Sequence, residues 1–205
     1  PQGGEGAVFI ASGCVQRVAH LLMMLREALI ERPGSIGLVP MKICLACLCS
    51  GSALVRTAAS GFAAVASAAS CGNDKQVVEA ITSACASVAS DPNASCGSSV
   101  PEFVKHAVRY WPEALRGCWL PALSGLFALQ GARDPDVVKS ARQSLGAFAV
   151  GVRPRLVLGG TELLWKPADI FDSISKFALA KDSRWGVRAS CVPVLQIVAF
   201  DLGFL

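Results

Sequence analysis

Charged side chains make up only 17% of these 205 residues, hydrophobic ones make up 53%, and the formal net charge is +4. A typical soluble domain is about a quarter charged, so this much apolar surface must be buried, either internally or against neighbouring structure. A membrane span is excluded on length. The run from Ile43 to Val55 is closed off by Lys42 and Arg56, and Thr57 to Gly72 is short and rich in Ser and Gly, against the ~20 uninterrupted apolar residues a spanning helix needs.

The N-terminus carries no charged segment followed by an apolar core, so no signal peptide is visible. Nine cysteines could suggest a disulfide scaffold. Their number is odd, however, and they sit among Ala, Ser and Leu at positions a helix would bury. Reduced, buried thiols of an intracellular protein are expected. Residues 1–100 carry 6 basic and 6 acidic side chains, and residues 101–205 carry 13 and 9. The basic residues of the second half are dispersed among acidic ones, which predicts a solvated helical face and no direct nucleic-acid contact. The chain begins with Pro1 and ends on Phe204 and Leu205, apolar residues of mid-element character, and is therefore expected to be a piece of a longer protein.

In chain order, residues 1–7 are Gly-rich. From Cys14 the apolar positions Val15, Val18, Leu22, Leu25 and Leu29 recur at helical spacing until Arg32, Pro33 and Gly34 stop them. A second apolar stretch spans Leu38 to Cys49. A third helix is predicted from Ala53 to about Ala69, built almost wholly of Ala, Ser and Val, with Phe62 its only large ring. After a turn at Cys71 to Asp74, a fourth helix is marked by Val77, Val78, Ile81, Cys85 and Val88.

The stretch from Ser90 to Pro101 has the Pro, Asn, Gly and Ser content of a loop. It is also a boundary in composition: only Phe9 and Phe62 are aromatic before it, whereas Tyr110, all four Trp and seven Phe follow. The chain thus divides into Ala/Ser/Cys-rich helices over 1–90, a loop over 91–101, and better-defined helices over 102–205. The Ala-rich first half buries less area per residue and should be the less stable half.

A short helix is predicted from Pro101 to Tyr110. Trp111 and Pro112 begin the next, which buries Leu115, Cys118, Trp119, Ala122, Leu123 and Leu126, bends at Pro121, and ends at Gln130 and Gly131. Asp134, Pro135 and Asp136 form a strong helix start, followed by a buried face of Val138, Ala141, Leu145 and Phe148 up to Gly151 and Pro154. Ile170, Phe171, Ile174 and Phe177 mark another helix. The last runs from Asp182 to Leu205, with Val187, Cys191, Val194, Leu195, Val198 and Leu202 as its apolar stripe.

No alternating pattern long enough for a strand occurs, so the fold class is all-α. Helices beginning Val-Arg or Val-Lys, with an Ala soon after, recur at Val55, Val138 and Val187. These are 83 and 49 residues apart, with Val77 and Val78 as a degenerate member between. HEAT and armadillo repeats run about 40–47 residues. The expected architecture is one HEAT/armadillo-like α-solenoid over residues 1–205, in which stacked antiparallel helix pairs share a continuous core.

The chain offers little chemistry. Cys44, Cys47 and Cys49 have half the spacing of a zinc site, but tetrahedral zinc needs four ligands and no second pair exists. His20 and His106 lack a partner at a spacing that suggests catalysis. Gly159 and Gly160 lack the Lys and preceding strand of a phosphate loop. The Trp residues sit at helix boundaries, as core anchors do. No enzymatic activity, metal or cofactor is expected.

The last helix carries a more specific pattern. Trp185 and Arg188 are three apart, Leu195 and Gln196 begin seven residues after the Arg, and Phe200 and Phe204 follow four and eight after the Gln. All six positions match in register a segment near the C-terminus of the large HEAT-repeat proteasome activators, the family of proteasome activator complex subunit 4. The chain resembles that family over about two dozen residues, and Pro193 inside the matched helix departs from it.

The resemblance implies a non-catalytic piece of an ATP-independent activator that caps the 20S proteasome core particle and modulates gate opening, in nucleus and cytoplasm. It also implies acetylated histones as a partner, although no Asn follows Asn93 to supply the contact that acetyl-lysine readers usually make. The family's C-terminal tripeptide, with its penultimate Tyr, is not in this sequence. The broader alternative is a HEAT-repeat scaffold or adaptor for protein–protein interaction.

Overall fold

The computed structural model describes residues 12–32, 41–69 and 75–157, together with 172, 174–176, 179, 188–189, 191–192 and 195–196 near the C-terminus. The described residues are helical or turn, with no strand among them. The helices over residues 12–157 are α1 (Ser12–Glu31), α2 (Met41–Leu48), α3 (Ala53–Ala69), α4 (Lys75–Ser90), α5 (Ser99–Tyr110), α6 (Pro112–Ala128) and α7 (Pro135–Val157). A 3-10 turn, Leu129–Gly131, follows α6. No helix among the described residues is long and apolar enough to cross a membrane.

The packing falls into two rows. α1 lies against α3, α3 against α5 and α5 against α7, while α4 lies against α6 and α2 touches both α3 and α4. α3 occupies the middle of the longer row, and its composition suits that place. Ala59, Ala63, Ala64 and Ala66 are fully buried, and side chains this small let helices approach closely on two sides. The bulk of the core lies in the second half, where Phe103, Leu115, Leu123, Leu126, Phe127, Leu129 and Phe148 are enclosed. That segregation follows the change in aromatic content at the 91–98 turn.

Helix boundaries follow local chemistry. Asp134 Oδ1 accepts the backbone N–H of Asp136 at 2.9 Å, so the expected start of α7 is present with its cap. α5 and α6 break at Trp111, whose backbone turns to φ −138°, ψ 60° while its N–H still donates to Ala107 O. Pro112 follows as the first residue of α6, where its missing donor has no consequence. Pro121 is carried inside α6, which continues through it.

Three expectations are corrected. α5 begins at Ser99, so Pro101 lies within its first turn, a position where no intrahelical donor is needed. α7 continues through Gly151 and Pro154 to Val157; a proline removes only one N–H, and a packed helix can carry that loss with a bend. Cys14 and Cys49 are exposed instead of buried, whereas Cys44, Cys47, Cys85, Cys118 and Cys191 are buried as expected.

The recurring Val-Arg/Lys pattern also changes. Val77 and Val78 lie on α4, in the other row from α3 and α7. A similar Val-Lys pair with a following Ala, Val104, Lys105 and Ala107, lies on α5, 49 residues after Val55 and 34 before Val138. Val55 and Val104 are fully buried and Val138 is half-buried, and Ala58, Ala107 and Ala141 are all buried. The basic residues share no such role: Arg56 is buried, while Lys105 and Lys139 are exposed. Val187 lies outside the described residues.

Candidate functional site

A dense polar cluster joins two helices of the longer row, α1 and α5, across α3. Arg26 of α1 donates through Nη1 to Glu102 Oε1 of α5 at 2.7 Å, and its Nε and Nη2 hold Glu27 Oε1 at 2.9 and 2.7 Å. His106, one turn after Glu102, places Nε2 3.0 Å from the same Oε1 and 3.2 Å from Arg26 Nη1. A proton on Nε2 donates to Glu102; the other tautomer accepts from Arg26. Lys105 Nζ donates to Glu102 Oε2 at 2.7 Å. Farther along α5, the His106 and Tyr110 rings stack with centroids 6.1 Å apart, and the Arg109 guanidinium lies 5.2 Å from the Tyr110 centroid.

This bridge crosses α3 at Gly61. A Cβ there would stand 3.0 Å from Arg26 Nη1, 3.1 Å from His106 Cδ2 and 3.2 Å from Glu102 Cγ. The glycine is therefore the floor of the cluster: the absence of a side chain on α3 is what lets Arg26 reach from α1 to α5.

Burial pushes the Glu102 carboxyl up. Hydrogen bonds from His106 and Lys105, with their charges, outweigh it and hold the group at about 2. A carboxylate lowered in the folded state contributes stability above its ordinary value of 4.5, and that contribution is lost as pH falls through about 2. Acid titration should show a steep loss of stability from about pH 5 downward. Glu102→Gln should flatten that limb while leaving the neutral-pH fold intact; an unchanged acid limb in denaturation midpoints would refute the assignment.

A second cluster organises the turn over 91–98. Arg56 of α3, 8% exposed, donates through Nη1 to Ser50 O and through Nη2 to Ser95 O. Its Nε is enclosed without a partner. Beside it, the Thr57 and Ser98 hydroxyls are 2.7 Å apart. Within the turn, Asn93 N–H donates to Asp91 Oδ1 at 2.9 Å, and Asn93 Oδ1 accepts the Arg133 N–H at 2.8 Å. The segment read as a loop is thus fixed to α3 on one side and to the start of α7 on the other.

The residues singled out in the sequence are dispersed. Arg188 and Gln196 are exposed, and Leu195 is half-buried against the core. Trp185, Phe200 and Phe204 lie outside the described residues. Cys191 is fully buried, so Cys191 and Leu195 turn inward while Arg188, Val192 and Gln196 turn outward, as the apolar stripe predicts. Cys44 and Cys47 are buried on α2 and Cys49 is exposed on the turn after it. Among the described residues, no group of three or more His, Cys, Asp or Glu is placed to hold a metal ion.

His20 is exposed, whereas His106 is 9% exposed and enters the ion-pair cluster instead of forming a plain helix edge. Burial raises the Cys47 thiol and pushes Cys118 and Cys191 up to about 11. Burial also raises Cys85 strongly, reinforced by Cys118 and Cys96. These thiols stay protonated near neutrality and are poor nucleophiles.

The arrangement holds α1 to α5 across α3, and α3 to the 91–98 turn, through directional contacts added to a small-residue core. No family model, curated protein or solved structure matches the chain.

Proposed function

We propose that this chain is a non-catalytic helical-repeat segment of an ATP-independent activator that caps the 20S proteasome core particle and modulates opening of its gate. The observation that carries the reading is the six-position register of Trp185, Arg188, Leu195, Gln196, Phe200 and Phe204. The two-row packing supports it, because stacked antiparallel helix pairs of an α-solenoid place alternate helices in separate rows. The cross-braces Arg26–Glu102 and Arg56–Ser95 suit a wall that must keep its curvature. Such a protein would work in nucleus and cytoplasm by shape and contact.

A second reading, a HEAT-like scaffold or adaptor for protein–protein interaction, keeps the row packing and drops the six-position register. Peptide hydrolysis separates the two. The full-length protein, added without ATP to purified 20S particles from the same cells, should change their hydrolysis of fluorogenic peptides in a saturable way. Rates that stay flat over a titration through excess protein would leave the scaffold reading standing.

A further inference from the structure

The first turns of α7 border an open groove of about 490 Å³. Its charged lining residues are Arg133, Lys139 and Arg142, with no acidic side chain among them, and its apolar lining is Ala132, Pro135 and Val138. All three cations are exposed, and among the described residues none of them makes an ion pair with a carboxylate. Two exposed acids stand near them in sequence, Asp134 and Asp136; Asp134 turns its carboxylate back on its own helix to accept the Asp136 N–H, and neither acid lines the groove. The Arg142 Nε donates to Gln130 Oε1 at 3.1 Å, which anchors the guanidinium at the groove's edge without neutralising it. A second hollow of about 240 Å³ beside the 91–98 turn shares Ala132 and Arg133 with the groove, and Asp134 is the acid in its lining.

From this arrangement we infer that the groove is a docking site for an acidic peptide segment, one with Asp or Glu flanking an aliphatic side chain. The charge lining the groove is of one sign, so complementarity selects a polyanionic partner. Ala132, Pro135 and Val138 offer an aliphatic side chain a dry contact between the cations, and the volume falls within the few-hundred-Å³ range of ligand clefts. A single-stranded nucleic acid is the less fitting polyanion, because the lining contains no aromatic ring on which a base could stack. The site is independent of proteasome capping: it stands or falls on the groove alone.

The test is fluorescence anisotropy with the full-length protein and a labelled nine-residue peptide of alternating glutamate and aspartate around a central leucine. Saturable binding is expected, weakened roughly two- to fivefold by each of Arg133→Glu, Lys139→Glu and Arg142→Glu, and roughly 30-fold or more by the triple variant. Replacing the leucine by serine should also weaken it, and Arg17→Glu, an exposed cation on α1, should leave it unchanged. The inference is overturned by absence of binding, by an equal effect of Arg17→Glu, or by a labelled oligouridylate that outcompetes the peptide at the same residues. Circular dichroism of each variant separates loss of the site from loss of fold.

Discussion

Replacing Arg56 by alanine is expected to lower the unfolding free energy by about 3 kcal/mol, a large effect for a polar side chain. Arg56 is 8% exposed, and its guanidinium supplies the donors for Ser50 O, just before α3, and Ser95 O, in the 91–98 turn. Truncation removes both charge-assisted bonds, leaves two carbonyls without those donors, and empties the space of the aliphatic stem. Each hydrogen bond to a charged donor contributes about 1.5–3 kcal/mol. Against this, the enclosed and unpartnered Nε is relieved, so the net falls below the simple sum. Arg56→Lys should recover only part of the loss, since one ammonium cannot span both carbonyls. Hydrogen exchange should show the change concentrated at residues 91–98. A midpoint within experimental error of the parent in urea would mean that the turn holds itself.

Enlarging Gly61 to leucine should cost a comparable amount, about 3 kcal/mol, by a different route. A β-carbon alone would stand 3.0–3.2 Å from atoms of Arg26, His106 and Glu102. The remaining leucine atoms have no space unless the guanidinium leaves, which breaks the 2.7 Å contact between α1 and α5. Both partners are only 15% exposed, so their separation is felt more than that of a surface pair. Gly61→Ala makes the informative control. It gains about 1 kcal/mol of helix propensity while crowding ends of side chains that can shift by tenths of an ångström, so its effect should stay within about 1 kcal/mol of zero. If leucine were tolerated as well as alanine, the gap over Gly61 would not be what admits Arg26. In that case Arg26→Ala combined with Gly61→Leu should cost the sum of the two single changes; coupling through the cluster predicts clearly less than the sum.

What could be read from the sequence was local. The limits of α3, the break at Trp111 and Pro112, and the capped start of α7 at Asp134 each depend on residues within one turn of each other. Their chemistry fixes the boundary wherever the helix packs. The apolar faces of α4 and α7 followed from periodicity, with Ile81, Cys85 and Val88 on one and Ala141, Leu145 and Phe148 on the other.

The polar clusters were not legible, because their members are far apart in sequence. Arg26 lies 76 residues from Glu102 and 80 from His106, and Arg56 lies 39 from Ser95. No spacing rule links such pairs; they meet only because α1, α3 and α5 stack in one row. Gly61 looked like another small residue in an Ala/Ser helix, and its role appears only with Arg26 above it. The single available signal was Glu102 and His106 at i, i+4, a pair that shares a helix face. In the same way, Arg56 served as a repeat marker in the sequence, although its burial sets it apart from Lys105 and Lys139. The basic groove is not legible in the sequence, because Arg133, Lys139 and Arg142 are interleaved with Asp134 and Asp136 along the chain. The fold turns Asp134 onto the helix backbone and brings the three cations, without either acid, into the lining of the groove.

Native affinity capture tests the functional account most directly. The full-length protein, tagged at its endogenous level and isolated in low salt without ATP, should bring down intact 20S core particles in near-stoichiometric amount. Negative-stain images should then show an added mass over the end rings of the particle. Recovery of the protein free of core particles, from cells whose particles are intact by the same preparation, would contradict the account.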